Sequence, residues 1–134
     1  MTEESKKRVL IIDDEQDICQ ILKEKLNGLG FEVAVAYEGK EGFKKVLTFL
    51  PNCVLLDIRM PDGEDGLTFL RHLRSFRDEN STNEEQIRRT PVIMLTGAGD
   101  QMRPLFQQEG ISDYVEKPFD VEDLKTRIFK VLQV

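Results

Sequence analysis

Two cysteines, Cys19 and Cys53, are all that the 134 residues carry. They have neither CxxC spacing nor the density of a disulfide framework, which fits a reducing, cytoplasmic setting. Positive charge is in deficit as well: 19 Lys and Arg against 25 Asp and Glu leave a formal net charge of −6. That balance argues against a domain whose main task is to neutralise nucleic-acid phosphates. No apolar run approaches the ~20 residues that span a bilayer. The opening MTEESKKRVLIID has no apolar core ahead of a small-residue cleavage site, so it does not read as a signal peptide. Glycine-rich phosphate loops are missing too. Gly97-Ala98-Gly99 is neither a GxGxxG turn nor a Walker loop, because no Gly-Lys-Ser/Thr follows. Repeats and low-complexity tracts are absent. What is present is a chain 40% hydrophobic and 33% charged, a size at which one core buries roughly two thirds of the unfolded surface. Residues 1–134 are therefore expected to form one domain, with its core between about Lys7 and Leu132.

Short β-branched runs alternate with helical patterns along the chain. The runs are Val9-Leu10-Ile11-Ile12, Val33-Ala34-Val35-Ala36, Val54-Leu55-Leu56, Val92-Ile93-Met94-Leu95 and the weaker Tyr114-Val115. The first, third and fourth are continuously apolar, as in strands buried on both faces. Between them lie apolar stripes of helical period. Ile18, Ile21, Leu22, Leu26 and Leu29 form the first stripe, with Gly30 placed to stop it. Phe43, Val46, Leu47 and Leu50 form the second, ended by Pro51. Leu67, Leu70, Leu73 and Phe76 form the third, Met102, Leu105 and Phe106 a short fourth ended by Gly110. Val121, Leu124, Ile128, Val131 and Leu132 form the last, opened by Asp120 as N-cap. Five strand-then-helix units with right-handed crossovers predict a three-layer, doubly wound α/β sandwich around a five-stranded parallel sheet. The charged stretch 77–90 (RDENSTNEEQIRRT) exceeds an ordinary connection. It reads as an extended third helix followed by a solvated loop, with a partner-specific surface insertion as the functional alternative.

In open α/β sheets ligands bind beyond the carboxyl ends of the strands. Asp13, Asp14 and Glu15 follow the first run, Asp57 the third, Thr96 the fourth, and Lys117-Pro118 the fifth. Three carboxylates on one rim repel strongly unless one is protonated or a cation sits among them. A hard cation with oxygen ligands, Mg²⁺ above all, suits such a set together with a phosphate oxygen. Lys117 supplies a compact positive charge for Asp57 or for a phosphoryl group, and the Thr96 hydroxyl can donate to a phosphoryl oxygen. Taken singly, each residue has a plain structural role open to it: Asp14 or Asp17 as a helix N-cap, Thr96 as a turn residue, Lys117 in a surface loop. Their recurrence at successive strand ends is what points to chemistry.

With these residues in place, the chain resembles the receiver domain of bacterial two-component response regulators, including the chemotaxis response regulator. The resemblance is carried by Asp13-Asp14, Asp57-Ile58-Arg59-Met60-Pro61, Thr96-Gly97 and Tyr114-Val115-Glu116-Lys117-Pro118-Phe119. It implies a flavodoxin-like strand order 2-1-3-4-5 and a phosphorylation-activated switch. Asp57 would be the phosphoacceptor, taking a phosphoryl group from a phosphohistidine of a sensor kinase or histidine phosphotransfer protein. Mg²⁺ would be held by Asp14, Asp13, Asp57 and the Arg59 main-chain carbonyl. Lys117 would contact the phosphoryl group. Thr96 would move towards it, and Tyr114 would turn from exposed to buried. A cis Lys117–Pro118 peptide is implied too. Partners would be that kinase and a downstream effector or output domain, without direct nucleic-acid or membrane binding by this domain. Asp113 and Arg127 lie where some transcription-factor receivers pair charges across a phosphorylation-dependent dimer.

His72, the sole histidine, falls in the third helical stripe and reads as a surface or boundary residue rather than a phosphodonor. Cys53 reads as a small hydrophobe, and Phe106 and Phe119 as core or edge packing. The rival reading is an Mg²⁺-dependent phosphatase of haloacid dehalogenase type, but there the nucleophile and second Asp are one residue apart after the first strand, whereas Asp13 and Asp14 are adjacent. The sequence stops after the last stripe, which leaves open a stand-alone receiver or one cut from a longer regulator or hybrid kinase. Two departures from the family pattern are visible. Asp62-Gly63-Glu64 puts one residue too many before Asp65-Gly66, so an altered loop is expected at the mouth of the site. Arg59 and Ala98 stand two residues beyond the phosphoacceptor and the switch threonine, where one can shield the phosphoryl group and the other cannot position water. Slow self-dephosphorylation follows: the isolated phosphoprotein is expected to survive for minutes or longer in a quenched time course, and a half-life of seconds overturns this.

Overall fold

The computed structural model describes residues 6–57, 66–96 and 103–133, the Arg103 side chain excepted. Five strands, β1 (Arg8–Ile12), β2 (Glu32–Ala36), β3 (Cys53–Asp57), β4 (Val92–Thr96) and β5 (Asp113–Glu116), form one sheet in the order β2-β1-β3-β4-β5. Every pairing is parallel. All five residues of β3 and of β4 are buried, as the continuous apolar runs require. The side chains alternate between two cores because strand side chains point to opposite faces in turn. Leu10, Ile12, Val54, Leu56, Val92 and Met94 face one core, and Val9, Ile11, Cys53, Leu55, Ile93 and Leu95 the other.

Helices cover both faces. α1 (Gln16–Gly28) and α6 (Val121–Leu132) bring Cys19, Leu22, Leu26, Leu124 and Ile128 to the second core. α2 (Gly39–Phe49), α3 (Gly66–Arg74), α4 (Glu84–Arg88) and α5 (Arg103–Gln108) cover the first with Val46, Phe69, Leu70, Leu73, Ile87 and Phe106. The expected stops are in place. Gly30 sits at φ +97 beyond α1, with Phe31 N–H bonded to the Leu26 carbonyl, and Asp120 caps α6 by accepting from Glu122 N at 3.0 Å. α2 ends on Leu50, whose φ of +50 is strained for a side-chain-bearing residue. The Arg8 guanidinium bonds the Phe49 and Leu50 carbonyls at that end, at 2.8 and 3.0 Å.

The structure corrects three expectations and closes one alternative. The connection 77–90 is not a longer third helix and a free loop: α3 stops at Arg74, and the segment makes its own short helix, α4, whose Ile87 is buried. There are thus six helices, not five, among the described residues. The Arg74 guanidinium ties that segment to the end of α5, donating to the carbonyls of Arg88 and Thr90 at 2.9 and 2.8 Å and to that of Gly110 at 2.8 Å. Ile21, Leu29, Leu47 and Leu105, placed on the apolar stripes, are exposed, because a helix lying flat on a sheet buries a narrower arc than the stripe spans. Neither Asp14 nor Asp17 caps α1. Glu15 holds that position without a side-chain cap, and Asp13 Oδ1 instead accepts from Glu15 N at 3.0 Å. Cys53 and Phe106 are core residues, Phe119 is half-buried, and His72 is exposed, as expected. No helix among the described residues is long and apolar enough to cross a membrane.

Gly42 of α2 faces Ile12, the last residue of β1. A Cβ there would lie 2.6, 2.9 and 3.2 Å from three Ile12 side-chain carbons. Gly42→Ala is expected to lower the unfolding free energy by about 1–3 kcal/mol in urea titration, despite the better helix propensity of alanine. A stabilised variant would contradict this packing.

Candidate functional site

Sheet register assembles the rim. Ile12 pairs with Leu56, and Asp57 with Leu95, so Asp13, Asp57 and Thr96 leave the sheet side by side at its carboxyl edge. Thr96 pairs with Glu116, which delivers Lys117 to the same edge. Asp13 and Thr96 are fully buried, Asp57 is 7% exposed, and Asp14 is exposed.

Carboxylate oxygens of Asp13, Asp14 and Asp57 lie within 4.8 Å of one another. At that spacing each pair repels by about 3–4 kcal/mol at an effective dielectric of about 20. Lys117 relieves part of the repulsion. Its ammonium donates to Asp13 Oδ2 at 2.8 Å, Glu15 Oε1 at 2.9 Å and Asp57 Oδ2 at 3.3 Å. Burial alone would push the lysine pKa down, but the hydrogen bonds to Asp13 and Glu15 and the charges of Asp13 and Asp57 outweigh it and hold the ammonium above the ordinary lysine range. Four carboxylates and one ammonium still leave a formal excess of three negative charges. The donor set is all oxygen and contains more carboxylates than its lysine can neutralise, so it fits a hard divalent cation such as Mg²⁺.

Asp13, Asp14, Asp57, Thr96 and Lys117 thus come together where the sequence predicted. The Lys117–Pro118 peptide is cis. Tyr114 of β5 is 5% exposed, its ring centroid 6.3 Å from that of Phe106 in α5, so it occupies the buried arm of the expected swing. Arg59, Ala98 and the expected extra-residue loop at Asp62-Gly63-Glu64 lie outside the described residues. Asp113 and Arg127 pair at 2.8 Å within the chain, and Arg127 also holds Asp123 at 3.0 Å. Glu15 was the residue that sequence reasoning passed over. It stood in the acidic triplet after β1, but its grip on Lys117 spans 102 residues and needed the fold. Beside it, a groove of about 400 Å³ lined by Ile18, Ile21, Pro118, Phe119 and Val121 opens next to Lys117.

Fold and rim together define a class: doubly wound parallel α/β proteins with an acid-lined site on the carboxyl edge and a lysine across from it. The family model of the response regulator receiver domain matches residues 9–129, and the chain belongs to that family, a signalling domain of two-component systems. It is 35% identical over 127 residues to the transcriptional regulatory protein CpxR of Escherichia coli K12, covering 94% of this chain and 49% of that one. With the response regulator ArlR of Staphylococcus saprophyticus it shares 32% over 127 residues, 94% of this chain and 52% of that one. The chain thus spans about half the length of these curated relatives. The solved structure of the chemotaxis response regulator CheY4 of Vibrio cholerae superposes with a TM-score of 0.82 at 26% identity, covering 95% of this chain and 99% of that one. Family membership decides against the haloacid dehalogenase reading.

Cys19 lies under the rim, its Sγ 3.3 Å from the Asp13 carbonyl. Burial, reinforced by the Asp13 charge, pushes its thiol pKa from 9.0 up to about 12, and burial does the same to Cys53. The thiolate at pH 8 is then about a thousandfold rarer than for an ordinary thiol. Both cysteines are expected to resist thiol reagents in the folded protein and to react at once in denaturant. Rapid labelling of the native chain would refute this.

Proposed function

We propose that the domain is a phosphorylation-activated switch in which Asp57 accepts a phosphoryl group from a phosphohistidine of a sensor kinase or histidine phosphotransfer protein. The observation that carries the reading is the trio Asp13, Asp14 and Asp57 with the Lys117 ammonium 3.3 Å from Asp57. An Asp57 carboxylate oxygen attacks phosphorus and forms an O–P bond as the donor N–P bond breaks. The electron pair returns to the imidazole nitrogen, and an acyl phosphate remains on Asp57. Mg²⁺, held by Asp13, Asp14 and Asp57 with the Arg59 main-chain carbonyl, would supply neutralisation of the phosphoryl oxygens. Lys117 moves its hydrogen bond from the Asp57 carboxylate to a phosphoryl oxygen. Thr96, at the next strand end, donates its hydroxyl to another.

Thr96 and Tyr114 carry the signal outward in this reading. Once the Thr96 hydroxyl is drawn to the phosphoryl group, the buried Tyr114 ring beside Phe106 is the arm held in place, and the β5–α6 surface changes for an effector or output domain. The apolar groove beside Lys117 offers the phosphodonor protein a seat next to Asp57. The domain turns over no external substrate and works only on its own phosphorylation and dephosphorylation. Relatives about twice as long, one of them named a transcriptional regulator, favour a receiver that acts on an attached output domain over one that acts alone. In a phosphorylation-dependent homodimer, Arg127 would have to trade its Asp113 contact within the chain for one across the interface.

Incubation with acetyl phosphate and Mg²⁺, read by intact mass, is expected to add one phosphoryl group to the unsubstituted chain. EDTA abolishes the addition, and so does Asp57→Asn. Failure to add it, addition to Asp57→Asn, or sustained turnover of p-nitrophenyl phosphate would overturn the reading.

A further inference from the structure

An ammonium has three donors, and at Lys117 all three face carboxylates: Asp13 at 2.8 Å, Glu15 at 2.9 Å and Asp57 at 3.3 Å. The weakest contact is the one to the reacting residue. Drawing the Asp57-facing donor fully onto a phosphoryl oxygen moves the ammonium, and Glu15, which grips it more closely than Asp57 does, resists that movement.

The placement of Glu15 is built rather than incidental. Its backbone N–H is pinned to Asp13 Oδ1 at 3.0 Å, and its carbonyl accepts from Cys19 N at 3.1 Å as α1 begins. Asp13 thus anchors both ends of the contact, taking Glu15 N–H on one oxygen and Lys117 Nζ on the other. The Glu15 carboxylate caps no helix and its side chain is 53% exposed, so its placed contact is with Lys117. It also lies on the wall of the groove beside the site, where an incoming donor protein would meet it.

We propose that Glu15 is a positioning residue that restrains Lys117 at rest, holding its ammonium back from the phosphoryl group and so slowing phosphorylation by donors that do not displace it. The proposal rests on Asp57 being the phosphoacceptor. It makes Glu15 a selectivity device: a small phosphodonor must pull Lys117 free unaided, whereas a protein seated in the groove can move the Glu15 side chain aside.

The test compares phosphorylation rates with acetyl phosphate at saturating Mg²⁺, read by intact mass. Glu15→Gln removes the charge, and Glu15→Asp keeps the charge but shortens the reach by one methylene. Asp17→Asn removes a nearby exposed acid of α1 that has no part in the site. Both Glu15 variants are expected to react about twofold to fivefold faster than the unsubstituted chain, the scale of losing one partly exposed ion pair, while Asp17→Asn keeps the original rate. If Glu15→Asp matches the unsubstituted chain, bulk charge and not the contact sets the rate, and the proposal falls. Unchanged rates in both Glu15 variants overturn it as well. Absence of phosphorylation in the unsubstituted chain, with Asp57→Asn as blank, fails the parent reading instead and takes this one with it.

Discussion

The Lys117 ammonium is the point on which the carboxyl edge depends. Carboxylates delivered by β1 and β3 sit close enough to repel by several kcal/mol, and the only cation among the described residues that touches them arrives from β5, 104 residues away from Asp13. That bridge has meaning only if β1, β3, β4 and β5 end in register, which the pairings Ile12–Leu56, Asp57–Leu95 and Thr96–Glu116 secure. Charge geometry and sheet geometry are therefore one problem. A slip of one residue in any of these strands would invert its faces and carry a site residue off the rim.

Rigidity is distributed to match. β3 and β4 are buried throughout, so Asp57 and Thr96 project from the least yielding part of the molecule. The parts that would answer to a signal lie at the periphery. β5 is an edge strand, Tyr114 rests against Phe106 of the short helix α5, and Arg127 of α6 is shared between Asp113 and Asp123. The 77–90 segment is held from inside as well, by Ile87 in the core and by the Arg74 fork on the Arg88 and Thr90 carbonyls. It is part of the packed body rather than an appendage, while its acidic outer residues stay in water.

Most of the fold was legible because doubly buried strands leave continuous apolar runs, and parallel pairing demands the crossovers that separate them. The site was legible for a related reason: once the strand ends are known, topology alone gathers the residues that follow them. Three things were not. Helix faces were drawn too wide, since Ile21, Leu29, Leu47 and Leu105 are apolar by type and exposed by position. The break of α3 and the one-turn α4 carry no periodic pattern, because five residues are too few to show one. The contact of Glu15 with Lys117 joins residues that no local pattern relates.

The amino-acid sequence by itself determined the order of elements, the doubly wound class and the identity of the rim residues Asp13, Asp14, Asp57, Thr96 and Lys117. These follow from local polarity and from rules of chain connection. Tertiary structure alone decided how the rim charges are shared: that Lys117 leans on Asp13 and Glu15 more than on Asp57, that Tyr114 is turned inward, and that Arg127 closes on its own chain. Such choices turn on differences of a few tenths of an ångström between groups far apart in the chain, and only packing fixes distances on that scale.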